Sequence, residues 1–317
     1  MLVNGVWWLG PGDSGDEIRK IKAFMRQKFP SYAGQLLDTD VYDKATFDAV
    51  SEMQRRYGLP VNGLIGYSTK VRMGYLKTTP PAKPTLITVN GAGVDMWTGP
   101  QADVARAVQD IYYWQPIGYD SKPVPMAPGV AQARAEIGHQ IDLHPGLIAA
   151  VVYSEGALAF SKFVLHDMLP DGAPYRHRLK DLKRVVAFGN PYRENSVVWD
   201  VDGNPARPGT QGISDERLYS TPPWWKEVAH HGDIYTENTV DNAGEFKTSI
   251  YKCVQNQWAG GPDSLLSQII ELVGNPFGEG FAAAKAIISG IGFAAKGTAP
   301  HTNYPTDKAI EYLRSPL

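Results

Sequence analysis

A chain of 317 residues has room for two domains. Hydrophobic residues at 43% and charged residues at 20% exclude a disordered chain. Lysine and arginine number 31 against 33 aspartates and glutamates, a formal net charge of -2, which excludes a broad polyanion-binding surface and, with it, nucleic acid as the expected partner.

The single cysteine, Cys253, leaves no internal disulfide, no Cys-x-x-Cys redox pair and no cysteine zinc cage. Residues Met1 to Trp8 lack a basic leader and a sustained apolar core, so no secretory signal peptide is expected. No window holds about 18 unbroken apolar residues. The nearest, Phe281 to Ala295, is interrupted by Lys285 and several glycines, so no transmembrane segment is expected.

The N-terminal piece reads as small and helical. Ile18, Ile21, Phe24 and Met25 share one face of a helix that starts after Gly15. A second helix begins near Asp43, with Phe47, Val50 and Met53 in the same period and Gly58 as its stop. A third, short helix follows Tyr67. The landmarks Gly12-Asp13-Ser14-Gly15, the run from Thr46 to Gln54, and Tyr57 to Gly66 with its Asn62-Gly63 turn resemble the peptidoglycan-binding domain, a three-helix module. That resemblance assigns residues 1–75 to a wall-binding domain; the alternative is an inert helical bundle. Pro80, Pro81 and Pro84 then mark a stiff linker over residues 76–85.

From residue 86 to 317 strand and helix alternate. Leu86 to Val89 is a short buried strand that ends at Asn90-Gly91-Ala92-Gly93. A helix is predicted from Ala102 to Trp114, with Val104, Val108, Ile111 and Tyr112 on one face, and another from Val130 to Ile141. Leu147 to Tyr153 is an unbroken apolar run of the kind found in central parallel strands. Val185 to Phe188 is a further strand. The class is α/β, a central parallel sheet flanked by helices, in which ligands collect at the carboxyl ends of the strands.

Tyr153-Ser154-Glu155-Gly156 sits where a buried strand meets a helix, the setting of a nucleophile elbow. Val152 stands where the usual Gly-x-Ser-x-Gly pattern has its first glycine. A serine capping a core helix is the plain alternative. A nucleophilic serine needs a base, and the base an orienting acid, in the chain order Ser, Asp, His. His301, in a loop before a final helix, is in the right place for the base. Asp233 is the best-placed acid, with Asp241 and Asp215 as rivals. The amide of Glu155, at the helix N-terminus, and amides of Gly91, Ala92 and Gly93 are the expected oxyanion donors, aided by Val94. Asp200-Val201-Asp202-Gly203-Asn204 looks like the start of a calcium loop, but Pro205 and Gln211 stand where such a loop needs Gly and Glu, so it reads as a turn. No metal or cofactor is expected. Strongly apolar helices about residues 262–296 form an insertion between acid and base, either a lid for an acyl chain or ordinary core packing.

Several runs together look like the lysin B family of mycobacteriophages: Tyr153-Ser154-Glu155-Gly156, Phe188-Gly189-Asn190-Pro191, Gly212-Ile213-Ser214, Thr221-Pro222-Pro223-Trp224-Trp225, Gly232-Asp233-Ile234-Tyr235 and His301 before Tyr304. The resemblance implies a cutinase-like α/β-hydrolase with a helical insertion. It implies a serine esterase that cleaves the ester between mycolic acids and arabinogalactan during phage lysis, made in the host cytoplasm and acting at the envelope. A generic cutinase or lipase, and a non-catalytic wall-binding protein, are the alternatives.

Overall fold

The computed structural model describes residues 2–3, 6–77, 83–122, 125–256 and 300–316. The insertion expected about residues 262–296 and linker residues 78–82 lie outside them. Two compact units divide the chain: Met1–Pro80 with Ile141–Pro145 and Asp167–Leu179, and the remainder.

In the first unit, β1 (Leu2–Val3) pairs antiparallel with β2 (Val6–Trp7) ahead of four helices: α1 (Asp16–Lys28), α2 (Pro30–Ala33), α3 (Lys44–Arg56) and α4 (Tyr67–Arg72). The one-turn α2 is additional to the three predicted helices, and Pro30 at its first position pre-sets the backbone. Ile18, Ile21, Met25, Val50 and Met53 are buried together as their spacing predicts. Asp43 caps α3 by accepting from the Thr46 amide at 2.8 Å, and Gly58 follows the helix at φ +67°. Gln54 holds the Asn62-Gly63 turn, accepting from the Gly63 amide at 2.9 Å and donating to Asn62 Oδ1 at 2.9 Å. Gly63 has φ +65° and lies against the Phe47 ring, so a side chain fits neither its backbone nor its space.

The second unit is built on a five-stranded, fully parallel sheet in the order β4-β3-β5-β6-β7. Its strands are β3 (Thr85–Val89), β4 (Tyr113–Pro116), β5 (Ile148–Tyr153), β6 (Leu182–Phe188) and β7 (Trp225–Val228). Helices α5 (Pro100–Ala107), α6 (Met126–Leu143), α7 (Glu155–Phe163), α8 (Asn242–Asn256) and α9 (Asp307–Arg314) accompany them. Every residue of β3 and β5 is buried, which is why β5 reads as an unbroken apolar run rather than as alternation, while β3 also buries Thr85 and Thr88. The chain runs outward from β3 to β4 and then returns to β5 on the other side. That reversal is the switch point at which α/β sheets collect their ligands, at the carboxyl ends of β3 and β5.

One predicted bound is corrected. The helix expected to reach Trp114 stops at Ala107, and Tyr113–Pro116 is an edge strand. Val108 and Tyr112 are buried beneath the sheet from the intervening turns, so their burial imitates a continuing helical face. The edge strand β7 has the mixed sequence Trp-Lys-Glu-Val, which gave no apolar run to read. Among the described residues no helix is long and apolar enough to cross a membrane.

Candidate active site

Ser154 follows directly on β5 and precedes α7. Its backbone has φ 53° and ψ -118°, a conformation that L-residues rarely adopt, while its amide donates to Phe188 O at 2.9 Å. The turn is this tight because strand and helix nearly touch. A Cβ on Gly156 would lie 2.4 Å from Asn90 O and 2.5 Å from Val89 O, so a glycine is required there. Gly91 is confined by side chains, since its Cβ would stand 2.9 Å from the Tyr153 ring and 3.1 Å from Ser154 Cβ. Val152, by contrast, is an ordinary buried strand residue paired with Val89 and Ala187. The sharp bend begins at Ser154, beyond it, so a β-branched side chain at position 152 is accommodated.

The three groups expected to act together do meet. Ser154 Oγ lies 2.9 Å from His301 Nε2, and His301 Nδ1 lies 2.7 Å from Asp233 Oδ2. The carboxylate accepts, so Nδ1 carries the proton and Nε2 is left to accept from the serine hydroxyl. Asp233 is fully buried and His301 nearly so. Asp233 Oδ2 also accepts from the Tyr304 hydroxyl at 2.6 Å, and Oδ1 accepts from the Tyr235 amide at 2.9 Å. Burial alone would raise the Asp233 carboxyl. The charge and hydrogen bond of His301, the Tyr304 hydroxyl and the Tyr235 amide outweigh it and hold the group below its ordinary value. The rival acids are engaged elsewhere: Asp215 pairs with Lys252 at 2.7 Å, and Asp241 accepts from the Gly244 amide at 2.9 Å at the start of α8.

Sequence reasoning passed over three supports of this constellation. Tyr304 grips the acid as described. Gly189, at φ +60°, ends β6 against the imidazole, where a Cβ would come 2.8 Å from His301 Cε1. His230 stacks on Tyr304 with ring centroids 4.5 Å apart and sits 3.1 Å from Pro300 O, in the loop that delivers His301. Gly189 and Tyr304 stand in the sequence as members of the runs that carry the family resemblance, and His230 as a histidine just upstream of the expected acid.

Two expected oxyanion donors are corrected. The Gly93 amide donates to Ser121 O at 2.6 Å, and the Val94 amide to Gly91 O at 3.2 Å, so neither is free for a substrate oxygen. The loop they belong to is fastened by Asn90 Nδ2 on Val94 O and by the Tyr119 hydroxyl on Asn90 O at 2.7 Å. Gly91, Ala92 and Glu155 stay as candidates for amide donation. The Glu155 amide lies at the first turn of α7, where unpaired N–H groups and the helix dipole favour negative charge.

A family described as "Putative peptidoglycan binding domain" matches residues 14–73. Endolysin B of Mycobacterium phage D29 is 37% identical over 254 residues, covering 74% of this chain and 99% of the relative. Endolysin B of Mycobacterium phage L5 is 36% identical over 253 residues, with the same two shares. The crystal structure of lysin B from mycobacteriophage D29 aligns with a TM-score of 0.64 at 35% identity, covering 74% of this chain and all of that one.

Proposed function

The chain belongs to the endolysin B family of mycobacteriophages, a family of esterase- and lipase-like hydrolases, and we propose that it hydrolyses the ester joining mycolic acids to arabinogalactan in the mycobacterial envelope. The observation that carries this reading is the hydrogen-bonded run Ser154, His301, Asp233, with links of 2.9 and 2.7 Å at the carboxyl edge of the sheet.

In this mechanism His301 Nε2 takes the Ser154 proton as Oγ attacks the mycolyl carbonyl carbon. The tetrahedral oxyanion accepts from the Glu155 amide and from the Gly91-Ala92 turn. His301 then protonates the departing arabinose oxygen, which leaves a mycolyl ester on Ser154. Water, deprotonated by the same imidazole, releases the mycolate and restores the serine. Asp233 fixes the imidazole tautomer and stabilises the imidazolium. Ester exchange of this kind uses only acid, base and nucleophile from the side chains named.

Incubation of the protein with purified mycolyl-arabinogalactan-peptidoglycan should release free mycolic acid, read by lipid chromatography. Turnover of short p-nitrophenyl esters with no mycolate released would replace the proposed substrate with small soluble esters. Inertness toward both, and toward a fluorophosphonate probe, would leave a wall-binding protein.

The N-terminal module, in this reading, holds the enzyme on the wall and raises its local concentration beside its substrate. The full-length protein should pellet with insoluble peptidoglycan stripped of arabinogalactan and mycolate. Recovery in the supernatant would reduce the module to a scaffold.

A further inference from the structure

Glu155 contributes a backbone amide to the proposed oxyanion site, but its side chain is used by no step of the mechanism. It is 1% exposed, and neither Oε1 nor Oε2 has a hydrogen-bond partner among the described residues. A buried carboxylate in that position lacks everything that ordinarily stabilises one.

The surroundings come from three elements. On the loop before α6 stand Asp120, a charge of the same sign, and Tyr119, a hydroxyl already donated to Asn90 O. On α8 stands Tyr251, whose hydroxyl lies 3.8 Å from Met126 Sδ. On α6 the contact is Gly129, where a Cβ would sit 3.2 Å from Glu155 Oε1 and 2.3 Å from Asp120 O. The carboxyl is therefore wedged against the α6 backbone in a space that only a glycine leaves open. Among the described residues no lysine, arginine or histidine acts on it. The α7 dipole favours an anion at this turn, but by far less than an unpartnered buried carboxylate costs. Burial, with Asp120 adding to it, pushes the group up to about 9.

We propose that the Glu155 side chain is a positioning acid that serves the oxyanion site only while protonated, so that its ionisation switches turnover off at alkaline pH. Neutral, it fills the space beneath the turn that presents its own amide. Ionised, it must either draw water and leave that space, shifting the turn, or stay and set a negative charge beside the developing oxyanion. Both lower the rate. The inference rests on the proposed serine mechanism.

The test is kcat/KM for a p-nitrophenyl ester from pH 6 to 10.5, background hydrolysis subtracted, in full-length wild type and Glu155→Gln. Wild type should fall about tenfold per pH unit above its midpoint. In Glu155→Gln the ratio of activity at pH 10 to that at pH 8, normalised within the variant, should exceed the wild-type ratio by about fivefold or more. The same alkaline limb in both proteins would assign the limb to a group other than Glu155 and overturn the proposal, as would a wild type with no limb. Failure of the underlying mechanism shows differently, as activity that survives loss of the Ser154 hydroxyl. Should Glu155→Gln not fold, NMR titration of wild type carrying ¹³C in the glutamate side-chain carboxyls decides. One glutamate titrating above pH 8 supports the proposal, and none overturns it.

Discussion

Replacing Ser154 with alanine should lower turnover of a short p-nitrophenyl ester by about 10⁵- to 10⁶-fold, the scale on which removal of an activated serine acts in comparable sites. The hydroxyl is the only atom the substitution removes, and the fold does not depend on it. What fixes the turn is backbone: the Ser154 amide on Phe188 O at 2.9 Å, and the fit of Gly156 beneath Asn90 O. Alanine keeps both, so the variant should keep the wild-type circular dichroism. Catalysis left over from oxyanion donors and substrate binding should amount to about 10³-fold over water. Steady-state rates on the purified variant, checked for wild-type carry-over by a fluorophosphonate label, decide the matter. A loss of less than tenfold would mean that another group attacks the ester, and the role assigned to Ser154 would go.

How much of this was legible beforehand depends on which interactions are local. The elbow was readable because its requirements are local: an apolar strand, a serine, then a small residue in the first turn of a helix. Asp233 and His301 were readable because chain order narrows the choice to one histidine near the C-terminus and an acid upstream of it. The edge strands were not. Tyr113–Pro116 and Trp225–Val228 are short and half polar, and each is a strand only because a buried neighbour offers it hydrogen bonds. The Gly93 amide was misjudged because its acceptor, Ser121 O, comes from a distant loop. The orphaned carboxyl of Glu155 was invisible for the same reason: its burial is created by α6 and α8, not by its sequence neighbours.

Two buried acids near the nucleophile thus have opposite fates. Asp233 and Glu155 are both buried, but Asp233 has three donors and Glu155 has none among the described residues. Divergent environments of this kind are how a site keeps one carboxyl ionised and another neutral at the same pH. The consequences for stability run in opposite directions. Between the ordinary glutamate value of 4.5 and about 9, the unfolded chain has released a proton that native Glu155 still holds. Native stability therefore falls across that window by about 1.4 kcal/mol per pH unit, and is independent of this group outside it. Asp233, held low, stabilises the native state above its unfolded value, and that stabilisation is lost as pH falls through its folded value.

Replacing Asp233 with asparagine should lower kcat by about 10⁴-fold at neutral pH and leave KM nearly unchanged. KM is spared because the carboxyl is fully buried and touches no substrate. The loss in kcat follows from counting donors. In the native site Oδ1 accepts from the Tyr235 amide at 2.9 Å, and Oδ2 accepts from His301 Nδ1 at 2.7 Å and the Tyr304 hydroxyl at 2.6 Å. An asparagine that keeps its oxygen toward Tyr235 turns its NH₂ toward His301. The imidazole must then present Nδ1 as an acceptor, its proton moves to Nε2, and Nε2 can no longer take the serine proton. The flipped asparagine preserves the catalytic tautomer but points an N–H at the Tyr235 N–H, leaving two buried donors opposed. The first orientation disables the base and the second destabilises the loop that carries it. Because the substitution removes a group that titrates lower in the native than in the unfolded state, the variant's melting temperature should also fall less steeply than wild type below about pH 4. Full kcat in this variant would show that the imidazole tautomer is set by some other acceptor, and the assignment of Asp233 as the orienting acid would not survive.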